Sequence, residues 1–293
     1  MELFIIQLIN GIQLGSIYSL MALGYTMVYG VMKLINFAHG DLLMIGAYVA
    51  YFLINAHVPL IIAFIISMII SCLGAIIMNK FAYKPLRSQP RLKALITAMG
   101  VSLLIENGSR VLPFIGPNYR KFPDVIKIHN FLLTENIVIT NIQILNIVVA
   151  LCLTFILWFI IQKTKFGIAM RTLCLDSKAA KLMGINVEFI YSATFGLGGA
   201  LAGASGVLFA ICYPRLSPYM GIMPGLKAFI AAVLGGIGSI PGAMLGGMVM
   251  GIVESMATSV NSQIAEGIFF LILLIVLLFK PFGIFGNTKK EKV

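Results

Sequence analysis

The groups able to do chemistry in this chain are few, and they sit inside apolar stretches. Lys33, Asn36, His39 and Asp41 interrupt the run KLINFAHGDLLMIGAY, Glu106 stands four residues before Arg110, and Glu254 has no basic residue one helical turn away. Polar side chains at membrane depth need partners or water, and such groups mark ion and substrate paths. Asn36, His39, Asp41, Glu106 and Glu254 are therefore the candidate pathway residues. Each also has a plainer reading. The 33–41 segment is either a turn at the membrane face, which Gly40 suits, or a broken helix dipping back beside a path. The Glu106 to Arg110 spacing allows a pair on one helix face near the outer interface. Glu254 reads first as a hydrogen-bonded structural acid.

The missing motifs narrow the chemistry further. GxxxxGKS/T does not occur, so the chain has no P-loop of its own for ATP. HExxH and GxSxG are also absent, and His39, His57 and His129 are scattered. Cys72, Cys152 and Cys212 lie in apolar segments and Cys174 in a basic one, with no CxxC pair, so neither a disulfide framework nor a zinc site is supported. No catalytic residue, metal or cofactor is expected. Transport is the default, with energy supplied from elsewhere.

Composition dictates the setting. The chain is 60% hydrophobic and 11% charged over 293 residues, with a mean hydropathy of +1.01, well outside the soluble globular range. The net charge of +11 falls in loops between apolar segments, the positive-inside pattern of a membrane protein rather than a nucleic-acid surface. No Lys or Arg precedes Lys33, so the first apolar segment lacks the basic start of a signal peptide and is expected to be retained.

The most informative polar interval is KTKFGIAMRTLCLDSKAAKLMGINV, residues 163–187. Its five basic residues against the single acid Asp176 mark a cytoplasmic loop. Asp176 and Ser177 stand where helix N-caps stand, Gly184 where a C-terminal cap stands, and KAAKLM between them favours helix. A helix this short does not hold together alone in water. Ala179, Leu182 and Met183 form its apolar stripe, Lys178 and Lys181 a basic edge. Either a cytoplasmic partner covers that stripe or the protein's own transmembrane helices do.

The elements that must position these groups follow from hydropathy. Spans are expected over about 3–32, 42–56, 58–79, 94–112, 141–162, 189–213 and 263–280, with the 225–258 region divided by Gly235, Gly236, Gly238 and Pro241. The first part of that region, 225–235, is short for a crossing and could be re-entrant. The fold class is thus an all-α polytopic membrane bundle of eight or nine segments, one short or re-entrant, in a single domain over residues 1–293. The loops 80–93 and 163–187 and the lysines Lys280, Lys289, Lys290 and Lys292 place the N-terminus outside and the C-terminus in the cytoplasm. Residues 113–140 form an outer loop in which NFLLTENIVIT is able to make a hairpin. Small residues at intervals of four, Gly11 and Gly15, Gly199 and Gly203, Gly247 and Gly251, mark helix-packing faces in lipid.

Three blocks go beyond class. NGIQLGSIYSLMALGYTMVYGVMKLINFAHGDLLMIGAYVA, RTLCLDSKAAKLMGINV and GLKAFIAAVLGGIGSIPGAMLGG together resemble the membrane permeases of bacterial branched-chain amino acid ABC importers, in particular the LivH-type subunit. The resemblance implies a bacterial inner-membrane complex. In it this chain pairs with a second related permease, two cytoplasmic ATP-binding subunits dock beneath, and an extracytoplasmic solute-binding protein delivers leucine, isoleucine or valine. It also implies that Arg171, Asp176, Ala179, Ala180, Leu182, Met183 and Gly184 belong to the ATPase-contacting segment. Another amino acid or an amide such as urea as substrate stays open, although no large N-terminal extension of the urea-type permeases is present. A stand-alone ion-coupled carrier using Asp41, Glu106 or Glu254 is the other alternative.

Overall fold

A computed structural model describes residues 2–34, 36–87, 89–134, 137–280 and 283–285. The first helix, α1 (Glu2–Met32), meets no charged residue between its start and Lys33, where the backbone turns with φ 56°. Its 31 residues span about 46 Å, longer than a bilayer's hydrocarbon core. α2 (His39–Asn55) ends at the positive-φ residue His57, and Pro59 then starts α3 (Leu60–Met78). α3 runs on through a π turn at Asn79–Tyr83 and a 3-10 turn at Lys84–Leu86. Pro90 precedes α4 (Arg91–Val111), as expected for a residue whose fixed φ suits a helix start.

The expected hairpin forms from β2 (Asn130–Thr134) and β3 (Ile137–Thr140), with Phe131 opposite Ile139 and Leu132 opposite Val138. Its turn residues, Glu135 and Asn136, lie outside the described residues. An earlier short strand, β1 (Arg120–Lys121), pairs with β4 (Arg215–Leu216). Thr140 closes a capping box with Gln143 and launches α5 (Asn141–Lys163). After α5 come α6 (Lys165–Leu175), α7 (Ser177–Leu182) and α8 (Val187–Cys212). The divided 225–258 region resolves into α9 (Ile222–Gly235) and α10 (Ile240–Val260), followed by α11 (Ser262–Phe279).

Among the described residues five helices are long and apolar enough to cross a membrane: α1, α3 with its continuation, α5, α8 and α10. α9 and α11 are shorter apolar helices. At 14 residues α9 reaches about 21 Å, less than a full crossing. Of the lysines that bear on the C-terminal orientation, Lys280 follows the last turn of α11, and Lys289, Lys290 and Lys292 lie outside the described residues.

α1, α8 and α10 form the centre. α1 and α10 meet at the small-residue faces: a Cβ on Gly11 would come 2.6 Å from the Ile252 backbone, one on Gly15 2.8 Å from Met248, and one on Gly247 2.5 Å from Ser19. The other seam joins α8 to α3, where a Cβ on Gly199 would lie 2.5 Å from Ala75 Cβ and one on Gly203 2.5 Å from Ser71 Oγ. Backbones this close gain dispersion contacts that lipid chains cannot supply, which is what holds helices together in a membrane.

Between α9 and α10 the chain reverses so tightly that Gly235 and Gly242 face each other, and Gly236 and Gly238 adopt φ 102° and 98°. Residues with a Cβ avoid that region. Ser239 caps α10 from the same turn. Beyond α11 the Ile284 and Phe285 N–H groups donate to the Leu234 and Gly235 carbonyls, so the tail pins the end of α9.

Candidate functional site

α7 is built by its caps. The Asp176 carboxylate accepts from the Lys178 and Ala179 N–H groups at 2.7 and 3.1 Å. At the other end Ile185 N–H donates to the Ala180 carbonyl and Gly184 N–H to that of Lys181, with Gly184 at φ 79°. This is a Schellman closure, and it satisfies carbonyls that a short helix would otherwise leave to water. Ala180 is fully buried against the bundle, and Ala179 is partly covered. Leu182 and Met183 stand 90% and 75% exposed, with Leu175 at 82% on the preceding turn. The stripe expected from spacing is therefore split: its alanine end leans on the protein, and its long side chains point away from it. Arg171 lies in α6, where it hydrogen-bonds Gln162 at the end of α5.

The residues leading into α7 were expected as loop, yet they form α6. Thr164 caps it by accepting from Gly167 N–H, and Gly167, Met170 and Leu173 are its buried face. The i, i+3, i+6 spacing of those three residues behind a threonine cap was the signal available in the sequence. A second feature invisible to spacing is a strap between the two basic loops. Arg87 donates to Glu188 at 2.7 Å and to Asn79 at 2.9 Å, and its guanidinium lies 4.0 Å from the centre of the Tyr191 ring. Lys84 adds a 3.2 Å ion pair to Glu188. The strap ties the end of α3 to α8, four residues beyond the cap of α7.

Of the pathway candidates, Asn36, His39 and Asp41 are buried to 2%, 1% and 2% exposure. The His39 ring lies 4.5 Å from that of Tyr25, seven residues before the end of α1 and so about 10 Å into the bundle. The chain thus folds back along α1 after Lys33 and places these side chains inside the bundle. Tyr83 donates to Asn36 Oδ1 at 2.6 Å, and the Met21 carbonyl takes a bond from His39. Asn36 Nδ2, His39 Nε2 and Asp41 Oδ2 have no partner among the described residues. Asn36 and His39 line a cavity of about 10 Å³.

Glu106 corrects its expected pairing with Arg110. Arg110 instead contacts Tyr219 at 2.5 Å, while Glu106 accepts from Ser102 at 3.3 Å and lies against Asp41. Helical spacing permitted the pair, but burial turns Glu106 inward and Arg110 outward. Four of the five polar candidates are thereby gathered where α1, α2 and α4 approach. Glu254 is elsewhere. It accepts from Lys227 at 2.6 Å and from Tyr18 at 2.7 Å, so its basic partner comes from α9 and not from its own helix. This trio borders a cavity of about 940 Å³ between α1, α8, α10 and the 122–128 loop, at the end of the bundle away from α7.

Five helices long and apolar enough to cross a membrane, with ionisable groups held between the helices, define the class as a helical membrane protein. The chain belongs to the branched-chain amino acid transport system / permease component family, whose profile matches residues 7–278. It is 40% identical to the high-affinity branched-chain amino acid transport system permease protein BraD of Pseudomonas aeruginosa, over 98% of this chain and 97% of that one. It is 39% identical to the corresponding LivH of Salmonella typhimurium, over 99% and 98%. A probable branched-chain amino acid transport permease protein LivH of Methanocaldococcus jannaschii is 29% identical over 93% and 89%. No solved structure matches the chain.

Proposed function

We propose that this chain is a membrane-spanning permease subunit of a binding-protein-dependent ABC importer for branched-chain amino acids. Near full-length similarity to BraD and LivH supports the substrate class. It forms one domain in the bacterial cytoplasmic membrane, crossing with α1 to α5 and α8 to α11, of which α9 is the short segment. The N-terminus is outside and the C-terminus in the cytoplasm. Two ATP-binding subunits dock from the cytoplasm, a second related permease completes the pore, and a solute-binding protein delivers substrate from outside.

The observation that carries the coupling role is α7: a helix of six residues, capped at both ends, presenting Leu182 and Met183 outward while Ala180 roots it. Such side chains fill a groove on a partner subunit. Buried Asn36, His39, Asp41 and Glu106 supply the polar interior past which a conformational change proceeds. The test is ATP-driven leucine uptake by the reconstituted complex. Leu182→Asp abolishes uptake and the stimulation of ATPase activity by loaded binding protein, with membrane abundance unchanged. Uptake at the parental rate removes α7 from the mechanism. Uptake by the lone chain on an ion gradient without ATP identifies a secondary carrier instead.

A further inference from the structure

The large cavity at the end remote from α7 has a wall that is mostly apolar, with Leu14, Phe122, Phe209 and Met223 among its lining. In this wall sit one fixed positive and one fixed negative charge, Lys227 and Glu254, with side chains only 14% and 16% exposed. The other charged residues of its lining, Asp124 and Lys127, are exposed residues of the rim loop. The volume, about 940 Å³, lies at the upper end of the range of small-molecule sites.

The pair is not saturated by its own partners. An ammonium has three N–H donors, and Lys227 gives one to Glu254 Oε1 while the Phe269 ring covers a second side at 4.6 Å. The Glu254 carboxylate has about four acceptor positions, and the Lys227 and Tyr18 bonds use one on each oxygen. A donor and two acceptor positions therefore remain. A brace alone gains little from charges withdrawn from water, since apolar residues of similar volume would serve as well.

We propose that Lys227 and Glu254 dock the zwitterionic end of an α-amino acid, its carboxylate on Lys227 and its ammonium on Glu254, with an apolar side chain against the cavity wall. The inference deepens the importer reading and rests on it. In the topology proposed above, the cavity opens to the side from which substrate arrives. Both charges are needed because a carboxylic acid or an amine alone would leave one end of the pair unanswered. The apolar part of the wall offers contact to an aliphatic side chain without directional bonds, and Gln7, Asn10 and Gln13 add amide groups elsewhere on the lining.

The experiment uses the assembled transporter with Thr258→Cys, a cavity-lining position whose hydroxyl bonds the Glu254 carbonyl of its own helix. Labelling by an impermeant maleimide is followed by peptide mass spectrometry, which keeps the native cysteines apart. L-leucine protects the site. Leucinamide, lacking the carboxylate, and 4-methylpentanoate, lacking the ammonium, each bind more weakly by about tenfold or more, the worth of a charged hydrogen bond. Glu254→Gln, whose single amide oxygen still accepts from Lys227 while its NH2 faces the Tyr18 hydroxyl as a donor, loses the protection, and co-purification of the partner subunits in parental proportion shows the assembly intact. Equal protection by all three compounds, or none by leucine, overturns the site. Protection without ATP-driven uptake overturns the importer reading and leaves the site standing; uptake without protection does the reverse.

Discussion

Replacing Gly251 by alanine should force α1 and α10 apart. A Cβ at that position falls 2.1 Å from Gly15 N, 2.3 Å from Gly15 Cα and 2.5 Å from Gly11 O. All three are backbone atoms and cannot rotate away. Carbon contacts settle near ~3.5 Å, so the shortfall is about 1.4 Å and the helices must separate by about that much. A radial gap of about 0.5–1 Å already forfeits a quarter to a half of each dispersion contact. The loss spreads along the seam through Gly11 with Ile252, Gly15 with Met248 and Gly247 with Ser19. The expected cost is about 3 kcal/mol, the upper end for an overpacked site, or a fall of roughly 6–12 °C in the melting midpoint of a chain this size. The assay is thermal unfolding of the purified protein in detergent, read as loss of monodisperse elution. Gly100→Ala is the control, since nothing lies within 4 Å of its Cβ position; it gains up to about 1 kcal/mol of helix propensity. Gly15→Ala combined with Gly251→Ala costs less than the sum, because one separation relieves both. If Gly251→Ala melts with the parent, the seam is not at backbone contact and the reasoning fails.

The docking helix and its surroundings give further tests. Asp176→Ala removes both cap bonds and costs α7 about 1 kcal/mol, seen as faster proteolysis of the 176–184 segment, whereas Asp176→Asn retains most of the cap. Gly184→Val strains a left-handed residue around which no atom crowds, so its effect is purely conformational, about 1–2 kcal/mol, and Gly184→Asn is milder. Arg87→Lys keeps the charge but loses the fork to Glu188 and Asn79 and the stacking on Tyr191; ATPase stimulation and uptake become unequal in that variant if the strap carries the stroke. Burial pushes the Cys174 thiol above its ordinary pKa of 9.0, against a smaller opposing pull from Lys33. Its thiolate fraction is therefore lower than a free cysteine's at neutral pH, and maleimide labelling is slow there and accelerates as pH rises through the alkaline range. In inside-out vesicles it reacts; labelling by an impermeant reagent from the outer face of intact cells inverts the proposed orientation.

What spacing could reveal was set along the chain, and what it missed lies between helices. Asp176 and Gly184 announced α7 because caps are local, and NFLLTENIVIT alternated as a strand pair does. The glycine faces were legible as faces, though not which helix each would meet. Partners of buried charge could not be read. Glu254 finds Lys227 from a different helix, and Glu106 abandons Arg110 four residues away for the neighbourhood of Asp41. In a membrane every helix is apolar nearly all round, so periodicity loses the polar face that would fix its rotation. The 33–41 segment shows the same limit: its polar residues resembled an interface turn, and only the packing of His39 on Tyr25 places them within the bundle.

Where α3 and α8 run side by side there is almost no cushion, since Gly199 and Gly203 leave the Ser71 and Ala75 positions against bare main chain. Long side chains between two rods act as springs and absorb a push by changing rotamer; main chain on main chain cannot. With Arg87 and Glu188 fastening the same two rods at one end, a force arriving at α7 would displace them as one plate, and the give must come from the looser borders around it.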